Sequence, residues 1–522
     1  MDVIPEKTPP LPLAFDEWAR CNAIAEDCWI IVGKGPTSAK LATLDTSAHR
    51  VMTLNHAIRQ IDAHVAHAID LDVLTSLTDI EINRARFWLM PWVPHVANRP
   101  GPDDLQACIA KIPVLARLAR EGRLLWYNAS TAGTGNPAQP VVPVRFFSAE
   151  AALNVLALSG VRHVRTLGVD GGRTYAPAFS DVSATLLANR RSSFDRQFES
   201  IADSIFRHDL DFGPLDEEVP IRVYVATERA QMLATRVLEY SIRRRSSITT
   251  RVHAICDFGI SVPQPRDLTN RPRTPFSFQR FLIPEAAGKA GRAIYLDSDM
   301  QVFKDIRALW SQPMGAAPLL SASAPADDGR RPQFSVMLLD CGRLDWDIAD
   351  IVRQLDCGRL DYTQLMYEMK LAPGWRADIS SRWNSLEHYD NGTCLLHYTD
   401  MEVQPWISTR NPLAYLWVAE LRHALASGFI SMDYLRGEVA QGFARPSLVW
   451  QMDHDLDDPL LLPREARALD RAYVPPFMSL ETRGIGSPWT SARARARALM
   501  RHVYRRSGLS NALTRARNYV NR

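Results

Sequence analysis

The chain has 522 residues and a mass of 58.7 kDa, with 46% hydrophobic and 23% charged residues. This is an ordinary globular composition with enough length for two or three domains. The net charge is +3, the seven cysteines form no CxxC pair, and no apolar run is long enough to span a membrane. These features argue against a zinc ribbon, a disulfide framework and a membrane-spanning protein. The N-terminus also lacks a signal-peptide pattern, so we expect a cytoplasmic protein.

The first predicted strand is "CWIIVG", which runs into the loop and predicted helix "GKGPTSAKL". Gly33 and Gly35 would let backbone amides approach a phosphate at the start of that helix, with Thr37 beside them. A tight turn from strand to helix without any ligand explains the same pattern.

Further apolar runs follow, separated by helical stretches over 104–121 and 148–159. The runs are "HAIDLDVL", "RFWLMPWV", "LLWYNAS" and "HVRTLGVDGG". Together with the first strand they predict a Rossmann-like α/β domain over residues 1–215.

A second unit begins at Ile221. There "IRVYVAT" predicts a strand, "ERAQMLATRVLEYSIRRRS" an amphipathic helix and "TTRVHAI" another strand, which together favour a second parallel sheet. "RAIYL", "FSVMLLD" and "TCLLHY" predict later strands, and the pattern from about 412 to 475 is helical. We therefore predict an α/β protein of two Rossmann-like domains, the second over 216–430, followed by a helical C-terminal region over 431–522.

Two carboxylates follow the strand "RAIYL" directly, in "DSDM". Asp297 and Asp299 should lie beyond the carboxyl end of the strand, where ligands bind in open α/β sheets. Two acids at the end of a buried strand favour a divalent cation, although a turn or a helix cap is the alternative. His397, which ends another apolar run, is the candidate third ligand, and a hydrogen-bonded structural histidine fits it as well.

Five segments recur in the order of a known family: "IRVYVATERAQMLATRVLEYSI", "FSFQRFLIPEAAGKAGRAIYLDSDMQVFKDIRALW", "QFSVMLLDCGRLDWD", "LDYTQLMYEM" and "RWNSLEHYDNGTCLLHYTDMEVQPW". Over about residues 218–410 the chain resembles a family 8 type glycosyltransferase of the GT-A fold. The resemblance implies a nucleotide-sugar donor, usually a UDP-sugar, an Mn²⁺ or Mg²⁺ ion, and retention of anomeric configuration. It assigns Asp297 and Asp299 to the D-x-D ligands and His397 to the late histidine. Thr227 would lie near the uracil or ribose.

Two features of the late element depart from the family pattern, a residue type and the spacing of that residue from His397, which is one residue longer than in the family. Gln404 in "QPW" stands where the family has a lysine that holds the donor diphosphate. Gln404 is thus the donor-binding candidate at that position, and Arg280, Lys289 or Arg292 would supply the missing positive charge.

The element "DYTQLMYE" matches the family only loosely, and it places Asp361 and Gln364 near the reacting carbon. The resemblance implies that the leaving phosphate takes the acceptor proton. These two side chains would then position the substrate or stabilise an oxocarbenium-like centre. A HAD-type phosphatase also places D-x-D after a strand, but Gln301 replaces its usual threonine or valine.

The first region, over about 27–185, resembles the bacterial sialyltransferase-like and MAF-like Rossmann domains through "WIIVGKGPTSAKL", "TLNHAI", "WVPH" and "ALNVLALSGVRHVRTLGVDGG". This resemblance implies a second nucleotide-sugar site with His95 as a base. The residues near its ligand would be Gly33, Gly35, Pro36, Thr37, Asn55 and Asp170. A degenerate domain that holds an acceptor or a partner is the alternative.

The last 35 residues, 488–522, contain nine arginines and no Asp, Glu or Lys, so the rest of the chain is net acidic. Apolar residues such as Trp489 and Leu499 lie among these arginines, which suits a helix on an anionic membrane surface. A solvated helix or a disordered tail fits equally. Nucleic acid is not an expected partner, because the basic charge is confined to the tail.

The two resemblances and the basic tail together imply a bacterial cytoplasmic glycosyltransferase that is peripheral to the inner membrane and that would be bifunctional if the first domain is also active. Its acceptor would be a cell-surface glycan or a lipid-linked oligosaccharide. The alternative is a non-catalytic nucleotide-binding scaffold of surface polysaccharide synthesis, which the glutamine at position 404 favours.

Overall fold

The computed structural model of the chain describes residues 11–131, 137–322 and 334–476. Contacts divide these residues into two compact units. The first takes in the described chain up to Pro220 together with Ser246–Thr249, and the second takes in Ile221–Arg245 and the described chain from Thr250 onwards. Each unit contains its own central sheet with helices, which confirms the predicted α/β fold class.

The first unit is built on a parallel sheet. Its strands, with two short ones outside the sheet (β6 and β7), are β1 (Leu13–Ala14), β2 (Cys28–Val32), β3 (Arg50–Leu54), β4 (Ala63–His67), β5 (Ala85–Pro91), β6 (His95–Val96), β7 (Arg99–Pro100), β8 (Leu124–Ala129), β9 (Val141–Val142), β10 (His163–Leu167) and β11 (Asp211–Pro214). The order is β1-β8-β5-β4-β3-β2-β10-β11, with β9 beside β8, and all these pairings are parallel. The order reverses between β2 and β10. Such a reversal opens a crevice beyond the carboxyl ends of the strands.

Helices cover both faces of this sheet. They are α1 (Phe15–Cys21), α2 (Leu71–Ser76), α3 (Asp79–Asn83), α4 (Leu105–Lys111), α5 (Pro113–Arg120), α6 (Ser148–Leu158) and α7 (Gln197–His208). Trp29 and Ile31 of β2 share a core with α1, α6 and α7, while Ile30 and Val32 share another with α2 to α5. This two-sided burial explains the unbroken apolar run of β2. The helical stretch predicted over 104–121 is divided in two at Pro113, which has no amide hydrogen to continue a helix.

The second unit has a mixed sheet. Its strands are β12 (Ile221–Ala226), β13 (Thr250–Ala254), β14 (Arg292–Asp297), β15 (Met300–Val302), β16 (Leu319–Ala322), β17 (Val336–Asp340), β18 (Arg376–Ile379), β19 (Ser385–Leu386) and β20 (Leu395–His397). The main sheet has the order β13-β12-β14-β17-β16-β18, and β15, β20 and β19 form a smaller one. The predicted parallel pairing holds for β13, β12 and β14. It ends at β17, which runs antiparallel to β14.

The helices of the second unit are α8 (Met232–Arg243), α9 (Ile283–Ala286), α10 (Arg307–Trp310), α11 (Ile348–Asp356), α12 (Tyr362–Met366), α13 (Ala414–Ala426), α14 (Met432–Ala440), α15 (Ser447–Asp453) and α16 (Arg464–Ala468). Helix α8 connects β12 to β13, as the amphipathic pattern predicts. The last four helices fall within the stretch predicted to be helical. None of the described helices has the length and apolar character needed to cross a bilayer. The arginine-rich tail, 488–522, lies outside the described residues.

A close approach between two loops of the first unit explains its glycine motif. The amide of Gly33 donates to the carbonyl of Leu167, and the amide of Gly35 donates to the carbonyl of Gly168, both at 2.8 Å. A Cβ atom on Gly33 would lie 2.3 Å from the carbonyl oxygen of Gly168. The helix that follows is a 3₁₀ helix over Pro36–Ala42 and not an α-helix. Glycine is therefore required here by backbone packing.

Replacing Gly33 with alanine should reduce the free energy of unfolding by about 1–3 kcal/mol, because the methyl group forces two backbones apart. The measurement is urea-induced unfolding of the full chain. Gly437→Ala is the matched control, since a Cβ atom there meets nothing within 4 Å and the residue lies inside α14. That control should leave the protein equally stable or more stable by up to about 1 kcal/mol. Equal stability of the Gly33 variant and the wild type would contradict this account of the loop.

Candidate functional site

Two strands of the second unit bring the candidate metal ligands together. β14 ends at Asp297, and β15 begins three residues later and pairs with β20 so that Met300 lies opposite His397. The short turn between β14 and β15 therefore holds Asp297 and Asp299 beside the histidine. One ligand atom from each of the three side chains can be chosen so that all lie within 4.8 Å of one another. Residues about a hundred positions apart in the sequence thus form one cluster.

His397 faces both carboxylates through one ring nitrogen. Its Nε2 lies 3.0 Å from Asp299 Oδ1 and 4.0 Å from Asp297 Oδ2. Its Nδ1 lies 2.9 Å from Asn384 Oδ1, and with the amide oxygen assigned there the ring donates its Nδ1 hydrogen. A hydrogen-bond acceptor on the ring nitrogen that does not face the metal is what holds a metal-binding histidine in one orientation.

The electrostatic surroundings of His397 favour a positive charge. Burial of the ring by itself lowers the pKa, but Asp299 and then Asp297 more than offset this effect, so the pKa of His397 is raised. The same two carboxylates would favour a metal cation at this place.

Two neighbours, Tyr295 and Arg280, hold the Asp297 carboxylate. The Tyr295 hydroxyl donates to Asp297 Oδ1 at 2.5 Å, and the buried guanidinium of Arg280 lies 3.9 Å from the same oxygen. That guanidinium also lies 4.7 Å from the centre of the Tyr295 ring. Of the three cations suggested by the sequence, Arg280 is beside the cluster. Lys289 instead faces Glu285 and Asp345, and Arg292 donates to the carbonyl of Trp310.

Asp299 is held by Gln404. The buried Gln404 amide donates to Asp299 Oδ2 at 2.9 Å and to the carbonyl of Tyr398 at 3.2 Å. Its Oε1 atom is buried and has no hydrogen-bond partner among the described residues. The glutamine thus lies in the cluster, but its donor group is engaged by protein acceptors. Its predicted contact with the donor diphosphate stays a prediction.

Thr227 follows β12 at the same edge of the sheet, since its neighbour Ala226 lies opposite Asp297. The Gln279 side chain pairs with both the amide and the carbonyl of Thr227, at 3.0 and 2.9 Å. The Thr227 hydroxyl accepts from Thr235 at 2.8 Å, and the residue is fully buried. The location agrees with the resemblance, while contact with a nucleotide stays a prediction.

Asp361 and Gln364 have a local structural role. The amide of Gln364 donates to Asp361 Oδ1 at 2.8 Å, and the amide of Asp361 donates to Gln364 Oε1 at 3.2 Å. This is a capping box at the start of α12. The predicted catalytic role of the pair stays a prediction.

The glycine loop of the first unit is closed by side-chain contacts as well. The amide and the hydroxyl of Thr37 both donate to the Asp170 carboxylate at 2.7 Å, and the hydroxyl accepts from the amide of Gly168 at 2.7 Å. The amides at positions 33, 35 and 37 therefore all have protein acceptors. Any phosphate bound near this loop must find other donors, and the predicted ligand-binding role of these three residues stays a prediction.

Several residues that shape the cluster carry no sequence signal. They are Asn384 beside His397, Tyr295 beside Asp297, Gln279 beside Thr227, and Gln231, which accepts from the Ser298 hydroxyl. Tyr295 reads as one more apolar residue of a strand, and the others belong to no motif. Only the tertiary contacts identify them.

The cluster fits a hard divalent cation. Carboxylate oxygens are the ligands that Mg²⁺ and Mn²⁺ prefer, and one imidazole completes a set of three protein ligands. Asp299 Oδ1 is buried, and among the described residues it accepts no well-aligned hydrogen bond, so it has a lone pair available where the cation would lie. The chain therefore offers a candidate Asp-Asp-His site for a divalent cation.

Comparison with known proteins agrees with this site. Residues 223–327 match the profile of "Glycosyl transferase family 8". The second unit therefore contains a glycosyl transferase family 8 domain, which includes Asp297 and Asp299. Among curated proteins, Protein CDI of Arabidopsis thaliana is 33% identical over 98 residues, which span 18% of this chain and 37% of the relative.

Solved structures similar to the chain include glycosyltransferases. The galactosyltransferase LgtC, solved with donor and acceptor sugar analogues, matches 42% of this chain and 100% of its own at 15% identity and a TM-score of 0.29. The glycosyltransferase GlyE of Streptococcus pneumoniae matches 41% of this chain and 64% of its own at 16% identity and a TM-score of 0.28. Such low scores establish no shared fold, so the assignment rests on the family match.

Asp299→Ala should weaken Mn²⁺ binding to the full chain by at least about tenfold. Loss of a metal ligand should reduce the affinity no less than loss of a residue that only hydrogen-bonds to a ligand. Isothermal titration calorimetry with MnCl₂ measures this directly. The control is Asp345→Ala, which removes an exposed carboxylate of the same unit away from the cluster. Equal Mn²⁺ affinity in Asp299→Ala and the wild type would rule out the site.

Proposed function

We propose that the second unit is a retaining, metal-dependent glycosyltransferase that moves a sugar from a nucleotide-sugar donor, a UDP-sugar in the first instance. The acceptor in this proposal is a cell-surface glycan or a lipid-linked oligosaccharide of a bacterium. The chain would work on the cytoplasmic side of the inner membrane. A working site in the first unit would make the protein bifunctional.

The observation that carries the proposal is the Asp297, Asp299 and His397 cluster at the carboxyl end of β14, whose two aspartates lie in the stretch that matches family 8. The family match covers the two aspartates, and the histidine comes to them through the pairing of β15 with β20. The match supports the two aspartates, and the geometry independently supports all three residues.

The chain's own residues have distinct roles in this proposal. Asp297, Asp299 and His397 Nε2 would hold the cation, whose chemistry is to neutralise the diphosphate leaving group. Tyr295 and Gln404 orient the two carboxylates, and Asn384 keeps the imidazole in one tautomer. No strong base among the side chains is required if the leaving phosphate accepts the proton of the acceptor hydroxyl.

One observation favours a second candidate, a nucleotide-binding protein without catalysis. Gln404 replaces the lysine of the family pattern, and its amide donates to protein acceptors. The leaving diphosphate would then lack one cation. Arg280, 3.9 Å from Asp297 Oδ1, is the nearby charge that would compensate for it.

Nucleotide release separates the two candidates. Full-length protein is incubated with UDP-, GDP-, CMP- and dTDP-sugars, with MnCl₂ or with EDTA, in the presence of bacterial lipid-linked acceptors. Release of UDP that EDTA abolishes is the expected result. Asp297→Ala should lower the rate at least about a hundredfold, because several kcal/mol of transition-state stabilisation depend on the cation.

Asp345→Ala serves as the control and should retain the wild-type rate. Mn²⁺-dependent binding of a UDP-sugar without any release would instead support the non-catalytic candidate. Release that persists in EDTA and in Asp297→Ala would contradict the proposed site.

The basic tail supplies the proposed membrane contact. Nine arginines within 488–522 would be attracted to anionic headgroups, and this attraction is screened by salt. Deletion of 488–522 should release the protein from vesicles that contain phosphatidylglycerol in a co-sedimentation assay, and the wild type should be released by about 0.5 M salt. Binding that survives both treatments would refute the role of the tail.

A further inference from the structure

The first unit contains a cavity of about 720 Å³. It is lined by the segments that follow β2, β3, β4 and β10, with Lys34, His56, Asp70 and Val169 as examples. The cavity therefore lies beyond the carboxyl ends of the parallel strands, where the order of the sheet reverses between β2 and β10. Open α/β sheets bind ligands at this position, and a volume of this size suits a small organic molecule.

A buried cation lines the cavity. The Lys34 side chain is 9% exposed, and its ammonium lies 3.2 Å from the Thr185 hydroxyl and 4.1 Å from the centre of the Tyr175 ring. Among the described residues no carboxylate forms an ion pair with it. Burial, and secondly the charge of Arg59, lower the pKa of Lys34 to about 8, so the amine is still mostly protonated at neutral pH. A buried ammonium without an anionic partner is a receptor for a negatively charged group.

The nearby acids are already engaged. Asp181 pairs with Arg59 at 2.6 Å, and Asp70 accepts from the amide of Asn98 at 2.7 Å. Asp170 is bound by Thr37, as described above. Because each of these acids already has a partner, the Lys34 ammonium is left to pair with the anionic group of a ligand.

Lone pairs without partners also line the cavity. The Ser76 hydroxyl donates to the carbonyl of Val73 and must accept from His56 Nε2 at 2.9 Å, so His56 Nδ1 is left as an acceptor. That atom is buried and has no hydrogen-bond partner among the described residues, as is also true of Asn55 Oδ1 and His95 Nε2. Buried acceptors of this kind require donors, such as the hydroxyl groups of a ligand.

An aromatic wall completes the lining. Tyr175 stacks on Phe194 with ring centres 5.9 Å apart, and Phe147 lies 5.1 Å from Phe194. All three residues line the cavity. Aromatic faces suit a flat base or the apolar face of a sugar ring.

We propose that this cavity is a second ligand site, which binds a hydroxylated ring that carries one anionic group, with Lys34 receiving the anion and His56 Nδ1 and Asn55 Oδ1 accepting from hydroxyls. A sugar phosphate, a sugar acid and a nucleoside monophosphate share this chemistry. The site is separate from the Asp-Asp-His cluster and does not depend on the glycine amides at positions 33 and 35.

Calorimetry on the full chain tests the site. Asp297→Ala in EDTA is the background, so that metal-dependent binding in the second unit is silent. The anionic probes are glucose 1-phosphate, glucuronate and UMP, and the reference probes are methyl glucoside and inorganic phosphate. We expect at least one anionic ring to bind one-to-one and more tightly than both reference probes, and the identity of that ring distinguishes the three sources.

Lys34→Gln should weaken binding of that probe about ten- to hundredfold, since a hydrogen bond to a charged group is lost. Ala188→Trp, at the exposed rim of the lining, should block it without altering the core. Lys40→Gln is the matched control, because Lys40 is an exposed lysine that pairs with Asp216 and does not line the cavity. It should bind like the background protein.

Three results would overturn the proposal. They are no binding of any anionic ring, binding of either reference probe as tight as that of the anionic rings, and unchanged affinity in either Lys34→Gln or Ala188→Trp. Thermal unfolding of each variant confirms that it is folded. The result is independent of nucleotide release by the second unit, so failure of one proposal does not decide the other.

Discussion

The organisation of the second unit depends on the need to neutralise two carboxylates at the end of a buried strand. β14 ends at Asp297, and Asp299 lies two residues further on, so both negative charges lie at the carboxyl end of the strand. Two negative charges so close in the chain raise the free energy of the folded state unless a cation or hydrogen-bond donors compensate them. The smaller sheet supplies this compensation by placing His397 opposite Met300. A divalent cation is the partner that satisfies all three side chains together.

The contacts around the cluster explain how a departure from the family pattern can be accommodated. Gln404 does not bring a charge to the site, but its amide fixes Asp299, as the Tyr295 hydroxyl fixes Asp297. Arg280 retains a positive charge next to Asp297 from inside the core. Hydrogen bonds thus hold the set of ligands, and the positive charge beside them comes from a buried arginine.

The first unit shows how a glycine motif can arise from packing alone. Gly33 and Gly35 lie against the loop after β10, and the amides that a phosphate would use already donate to that loop. The ligand-binding groups that we propose for the unit are side chains and not these amides. Lys34 lies between the two glycines, and His56 follows β3. Both become neighbours of one cavity because the ends of parallel strands meet at the same edge of the sheet.

The sequence by itself determined the α/β class, several of the central strands and the two carboxylates at the end of β14, and the family resemblance added His397. A strand that is buried on both faces needs apolar residues along its whole length. Two acids at the end of such an apolar run are therefore easy to recognise in the sequence. Strand direction, loop packing and the hydrogen bonds that hold the candidate metal ligands were decided only by the tertiary structure. The antiparallel β17, the closed glycine loop, the cap formed by Asp361 and Gln364, and the cavity around Lys34 all depend on which segments meet in space. Local sequence patterns record the burial of a residue but not the identity of its distant neighbours.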